Sequence, residues 1–268
     1  MKRQPAVAGQ FYTDNPSRLE KELASLIIPA PKGQTKAKGI VSPHAGYIYS
    51  GAVAGQVFAA IEIPPTVLII GPNHHEAGVP AALYPDGEWI TPLGSVAINS
   101  KLNMLILKHV PLIKSDSLAH QSEHSLEVQV PFIHHLRPDV TISALCVGYG
   151  DFAAVKQIGE GLAAALQDYG GEVLIVASSD MTHYESAESA QRKDELALAR
   201  VLALDPEGLL QICRTERITM CGVVPTAIML VTARELGANQ ASLISYATSG
   251  DVTGDNSQVV GYAGLMVW

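Results

Sequence analysis

Three short apolar runs, each ending in a polar loop, constrain this chain most. They are residues 39–41 (Gly-Ile-Val), 66–70 (Thr-Val-Leu-Ile-Ile) and 172–177 (Glu-Val-Leu-Ile-Val-Ala). None alternates apolar with polar residues, as a strand with one wet face would. Each therefore reads as a strand buried on both faces, which requires helices above and below the sheet. Helical spacing recurs between them. Residues 16–27 carry Leu19, Leu23, Leu26 and Ile27, with Asn15 placed to cap and Pro16 at the first position. Further helices are expected over about 51–61, 102–108, 152–166, 186–203, 206–212 and 222–236, and further strands over 140–147, 241–248 and 258–267. The Pro- and Gly-punctuated stretch 78–98 reads as a hairpin or meander at one edge of the sheet. Residues 125–136 fit both periods and are assigned to helix, with Pro131 as a local disturbance. The alternation predicts an α/β three-layer sandwich with a central mixed sheet. Without a linker, a repeat or a low-complexity tract, residues 1–268 are expected to form one domain.

The strand ends carry the chemistry. The first run leads into Ser-Pro-His44, the second into Gly-Pro-Asn-His74-His75, the third into Ser-Ser-Asp180-Met-Thr-His183. In open α/β sheets ligands bind in the crevice beyond the carboxyl ends of the strands. Five such residues in three loops therefore predict a single shared site. Imidazole suits iron, zinc, copper or nickel, and a neighbouring carboxylate adds manganese. Cys221-Gly222 precedes the helix at 222–236, where a stabilised thiolate could serve as ligand or nucleophile; a small buried apolar residue is the competing reading. The segment His120-Gln-Ser-Glu123-His124 has the H-x-x-E-H spacing of one class of zinc peptidases, which works only on a helix. It lacks an apolar stripe, so Glu123 and His124 are better read as loop residues facing the same site. The acidic stretch 250–256 reads as a solvated turn.

Other classes are disfavoured. No strand leads into a G-x-G-x-x-G turn, and there is no P-loop or G-x-S-x-G elbow. A formal net charge of −8 leaves no basic excess for nucleic acid. No apolar run approaches the ~20 residues that a membrane helix needs. Three cysteines without a CxxC pair argue against a disulfide framework, so a reducing cytoplasm is expected.

Taken together, residues 5–12 (Pro-Ala-Val-Ala-Gly-Gln-Phe-Tyr), 42–47 (Ser-Pro-His-Ala-Gly-Tyr), 71–75 (Gly-Pro-Asn-His-His), 123–127 (Glu-His-Ser-Leu-Glu), 178–183 and Cys221-Gly222 resemble the Memo family. The resemblance runs in order over nearly the whole chain. It implies a fold similar to the class III extradiol dioxygenases, in which non-haem iron(II) opens catechol rings, with a cysteine where those enzymes use a glutamate ligand. Carried over by motif, it implies His44, His75 and Cys221 as metal ligands, the second histidine of the doublet being preferred to His74. Asp180 and His183 would line the pocket, His183 in the place of an acid/base histidine, with His74, Glu123, His124 and Tyr47 around them. Fe(II) is the implied metal. A thiolate changes the redox tuning of iron and also suits copper or zinc, so ring cleavage itself does not follow. The implied ligand is a small molecule or peptide, with a pathway link to a radical-SAM protein. Two other readings are a non-catalytic peptide- or protein-binding module that retains the pocket, and a zinc hydrolase built on His120, Glu123 and His124.

Overall fold

The computed structural model describes residues 1–29, 33–148 and 150–268. In chain order the elements are β1 (Lys2–Arg3), α1 (Pro16–Leu26), β2 (Gly39–Ser42), α2 (Tyr47–Ala59), β3 (Thr66–Pro72), β4 (Ala81–Leu83), β5 (Glu88–Thr91), β6 (Gly94–Ile98), α3 (Ser100–His109) and β7 (Lys114–Ser115). There follow α4 (Val130–Leu136), β8 (Thr141–Val147), α5 (Phe152–Tyr169), β9 (Val173–Ser178), β10 (His183–Glu185), α6 (Ala187–Leu202), α7 (Pro206–Thr215), α8 (Val223–Glu235), β11 (Ala241–Thr248), α9 (Gly250–Thr253) and β12 (Val259–Val267).

The strands form a mixed sheet in the order β1-β5-β6-β8-β3-β9-β2-β12-β10, with β11 also paired to β12 and β4 to β8 and β7. From β6 to β2 all neighbours are parallel, while β12 returns antiparallel against β2. Side chains alternate faces along each strand, and the core divides accordingly. Val41, Leu68, Ile70, Leu145, Ile175 and Ala177 point into one core with α3, α5, α6, α7 and α8. Ile40, Val67, Ile69, Ala144, Leu174 and Val176 point into the other, with α1, α2 and α4. Two covered faces make the three layers, as the unbroken apolar runs required.

The edge hairpin expected over 78–98 is β5 and β6, paired antiparallel. Three local readings change. Helix α2 begins at Tyr47, four residues before the expected start, because Gly51 lies inside it. A Cβ there would meet the Leu26 side chain at 2.9 Å, so this glycine serves close packing and not a loop. Residues 127–129 form a 3₁₀ turn that runs into α4, and Pro131 occupies the first turn of that helix, where its missing N–H costs nothing. Residues 250–253 are a short helix, not a hairpin turn.

Gly55 gives a stability test. A Cβ at this position would run into the Leu26 backbone carbonyl of α1, which cannot rotate out of the way. Helix propensity alone favours alanine by about 0.5–1 kcal/mol. Overpacking costs about 1–3 kcal/mol and wins. Gly55→Ala is therefore expected to lower the urea midpoint; an unchanged or raised midpoint would mean that α1 recedes freely.

Candidate metal centre

Strands β3, β9 and β2 are adjacent and parallel, and Ser42 sits opposite Ser178 in the register. Their carboxyl ends therefore open side by side, and the loops carrying His44, His74 and Asp180 leave from one edge. Cys221 reaches the same edge from the turn before α8. Its neighbour Gly222 lies so close to Ser178 O and Ser179 that a Cβ could not fit.

His44 is buried, with 2% of its surface exposed. Its ring orientation and tautomer follow from its neighbours. Ser178 Oγ gives its single proton to Ser125 O (2.6 Å) and accepts a hydrogen from Gln129 Nε2 (2.8 Å). The contact between His44 Nδ1 and Ser178 Oγ (2.9 Å) must then have His44 as donor. That leaves a lone pair on Nε2, which faces Cys221 Sγ at 3.2 Å. Burial, reinforced by the neighbouring His74 and His124, holds His44 well below the ordinary imidazole pKa, so the ring stays neutral.

The histidine doublet divides in the opposite way to the one expected. Glu123, buried and on no regular element, accepts His74 N–H through Oε2 (2.6 Å) and approaches His74 Nδ1 through Oε1 (2.9 Å). Those two bonds turn the His74 ring inward, with ring centroids 5.2 Å from His44. His75 N–H instead donates to Asn73 Oδ1 at 3.2 Å, and although both histidines are exposed overall, His75 joins no group of candidate ligands among the described residues. The ligand atoms of His44, His74 and Cys221 all lie within 4.8 Å of one another. The geometry thus replaces His75 by His74 in the candidate set. Two imidazoles and a thiol suit a borderline or soft transition metal, iron, copper and zinc alike.

Cys221 Sγ accepts Asp180 N–H at 3.2 Å. Burial, followed by the charge of Asp180, pushes its thiol pKa above the ordinary range. A bound cation would supply the charge that converts it to thiolate. Asp180 accepts His44 N–H at 2.7 Å, so its carboxylate holds the loop that presents His44. Burial raises its pKa to about 6, against the hydrogen bond from His44 N–H. His183 is partly buried and near enough to bear on the charges of both His44 and Asp180. Its Nδ1 donates to Thr219 O at 3.0 Å, which leaves the Nε2 lone pair free.

Two expected residues are placed elsewhere. Tyr47 is a core residue: its ring packs on Phe132 and Tyr12 and its hydroxyl donates to Val128 O at 2.7 Å. His120 lies buried between Tyr84 and Trp89, and its Nε2 donates to Ala82 O at 3.0 Å. Residues 121–124 are not helical, so the H-x-x-E-H spacing does not bring its ends to one face, and His120 joins no group of candidate ligands among the described residues. A second group does form from His74, Glu123 and His124. Ser178 and Gln129, which fix His44, were not singled out from the sequence; nothing in an isolated serine and a glutamine 49 positions apart marks them as a pair.

Comparison with known proteins places these residues in context. The profile of the Memo-like protein family matches residues 3–266. A MEMO1 family protein of Aquifex aeolicus is 42% identical, over 98% of both chains. One from Methanopyrus kandleri is 39% identical, over 99% of both. Among solved structures, an uncharacterized protein of Escherichia coli K12 superposes with a TM-score of 0.56 over 86% of this chain and 99% of its own. At 13% identity that likeness speaks to the fold alone.

Proposed function

The chain belongs to the Memo-like protein family, and from that premise we propose that it is a non-haem iron protein whose metal is held by His44, His74 and Cys221. The observation that carries the reading is the locked His44 ring, whose Nε2 lone pair is aimed at Cys221 Sγ 3.2 Å away. A tautomer fixed from behind by a hydrogen bond is what a ligating histidine needs. When bound, iron(II) would supply Lewis acidity and a one-electron couple, and three protein donors leave positions for a substrate.

The remaining residues support redox or oxygenase-related chemistry on a small molecule. Asp180 keeps the His44 loop in place, and its N–H helps to stabilise a thiolate at Cys221. His183 has its Nδ1 proton committed to Thr219 O, so its Nε2 can take a proton from a substrate and return it. Phe11, packed against His124 with centroids 4.8 Å apart, gives the cleft an apolar wall that limits water.

The doublet supplies the test. Protein purified without oxygen is expected to carry iron. Even changes behind the ligands of a metal site cost about 10–100-fold in affinity, so His44→Ala, His74→Ala and Cys221→Ser should each weaken the thiolate-bound iron by more than about 100-fold. His75→Ala should leave it unchanged. Equal iron affinity in wild type and His74→Ala, or a loss confined to His75→Ala, would overturn the ligand set.

A further inference from the structure

We propose that the cleft takes a second divalent transition-metal cation, bound by Glu123 and His124 and sharing His74 with the thiolate site. The three side chains bring their ligand atoms within 4.8 Å of one another. The Glu123 side chain has no exposed surface, and that of His124 only 20%. Neither ring nitrogen of His124 makes a hydrogen bond among the described residues, and Nδ1 stands 3.5 Å from Glu123 Oε1. Its ring lies flat on His74, with centroids 4.7 Å apart and planes 19° apart, and edge-on to His44 at 5.5 Å. Three imidazoles therefore crowd round one buried carboxylate. Of the three, only His124 lacks a hydrogen-bond partner among the described residues, since His44 Nδ1 donates to Ser178 Oγ and His74 Nδ1 is bonded to Glu123. A cation between Glu123 and His124 would give the His124 lone pair the partner it lacks; Glu123 already accepts from His74 N–H, His74 Nδ1 and Ser125 N–H.

The electrostatics agree. Burial brings His124 down to about 4, so its lone pair is available at neutral pH. Burial opposes ionisation of Glu123, but the hydrogen bond and charge of His74 and the N–H of Ser125 prevail and hold it below the usual carboxylate range. With nitrogen and oxygen donors and no sulfur, this outer group differs in kind from the inner one. When both are filled, His74 gives one ring nitrogen to each ion. The proton now between His74 Nδ1 and Glu123 Oε1 passes to solvent, and Glu123 exchanges that hydrogen bond for the cation. The competing role for Glu123 is to anchor His74 only, and that role makes no use of His124.

The inference meets the preceding one only at His74, and cobalt(II) separates them, because only a thiolate ligand gives a sulfur-to-metal charge-transfer band. Anaerobic titration of metal-free protein is expected to take up two equivalents, one of them with the band. His124→Ala should take up one equivalent with the band retained, whereas Glu123→Gln should lose the outer equivalent and also weaken the thiolate site, because Glu123 turns His74 inward. Cys221→Ser should take up one without it. Urea midpoints check that each variant is folded, and His124→Ala, at a partly open position, guards against failure of Glu123→Gln to fold. Saturation of the wild type at one equivalent with the band, or equal stoichiometry in wild type and His124→Ala, overturns the second site. A single equivalent without the band that is lost in His124→Ala would support the outer site and sink the thiolate one.

Discussion

Replacing Glu127 by alanine is expected to destabilise the fold by about 3–5 kcal/mol, the range for removing one partner of a buried ion pair. The Arg3 and Glu127 side chains are 4% and 2% exposed, and the pair closes at 2.7 Å. Glu127 does more than neutralise Arg3. Its Oε2 also accepts Ala6 N–H at 2.7 Å, and its Oε1 accepts Val7 N–H at 3.1 Å and Tyr12 O–H at 2.7 Å. Burial, and then the charge of Glu127, hold the Tyr12 phenol far above its usual range, so it remains a donor. Alanine would orphan four donors at once and leave a guanidinium in the protein interior. Arg3 cannot move out into water easily, because it also donates to His120 O and Glu123 O and lies 4.4 Å over the Trp89 ring. Urea unfolding measures the loss. A change below about 1 kcal/mol, the range of an exposed pair, would show that water reaches the site. Changing Arg3 to Met and Glu127 to Leu together should recover part of the loss, since an apolar pair leaves no buried charge behind.

The same network bears on the metal centre. It ties the N-terminal segment to the loop that carries Glu123 and His124. Phe11 in that segment touches the His124 ring, and its carbonyl accepts Tyr47 N–H at 2.7 Å, at the start of the helix after His44. Loosening residues 3–12 therefore slackens two walls of the cleft. Glu127→Ala should weaken metal binding at both groups, although it touches neither. His75→Ala, closer in sequence to the ligands, should not.

How much of this could be read from the sequence depends on the range of the interaction concerned. The buried strands were legible because covering both faces of a sheet removes polar residues from the run, as in Thr66–Pro72 and Val173–Ser178. The parallel arrangement then gathers the loops that carry His44, the His74-His75 doublet and Asp180 without further information. Choices that rest on distant partners were not legible. Whether His74 or His75 turns inward is decided by Glu123, 49 positions away, through one backbone and one ring contact. Nothing local marks Arg3 as buried, because its partner Glu127 lies 124 positions on. The three-residue strand β10 was missed altogether; it carries Tyr184 at φ 59°, a conformation that no local preference of tyrosine predicts. Gly51 misled for the opposite reason, since glycine usually marks a turn, and here it marks a close approach to α1.

The Gly222 position puts that last point to use at the metal centre. Gly222→Ala is expected to weaken the thiolate-bound metal by more than about 100-fold, as severely as loss of a ligand and beyond the usual range of outer-shell changes, while leaving the cysteine in place. The backbone there, with φ −94° and ψ 28°, is open to alanine, so strain is not the reason. The reason is space: a Cβ would run into the Ser178 carbonyl and the Ser179 side chain, 2.7 Å from Ser179 Oγ. Ser178 O belongs to the last residue of β9, which is paired with Ser42 of β2 and follows a residue paired on both sides, so it yields less readily than the turn. The turn must move instead, and Cys221 moves with it. That breaks the Gly222 N–H bond to Ser179 Oγ (3.0 Å), the Asp180 N–H bond to Sγ (3.2 Å) and the approach of Sγ to His44 Nε2 (3.2 Å). Overpacking should cost about 1–3 kcal/mol, less than the roughly 5–15 kcal/mol that holds a domain folded. The variant should therefore remain folded, with a lower urea midpoint. Ser179→Gly in the same chain removes only the side-chain clash, so it should restore part of the stability but not the metal, because the Ser178 carbonyl still blocks the turn. Full metal affinity in Gly222→Ala would mean that the turn before α8 adjusts without moving Sγ, and that the closeness of Cys221 to His44 does not depend on a glycine beside it.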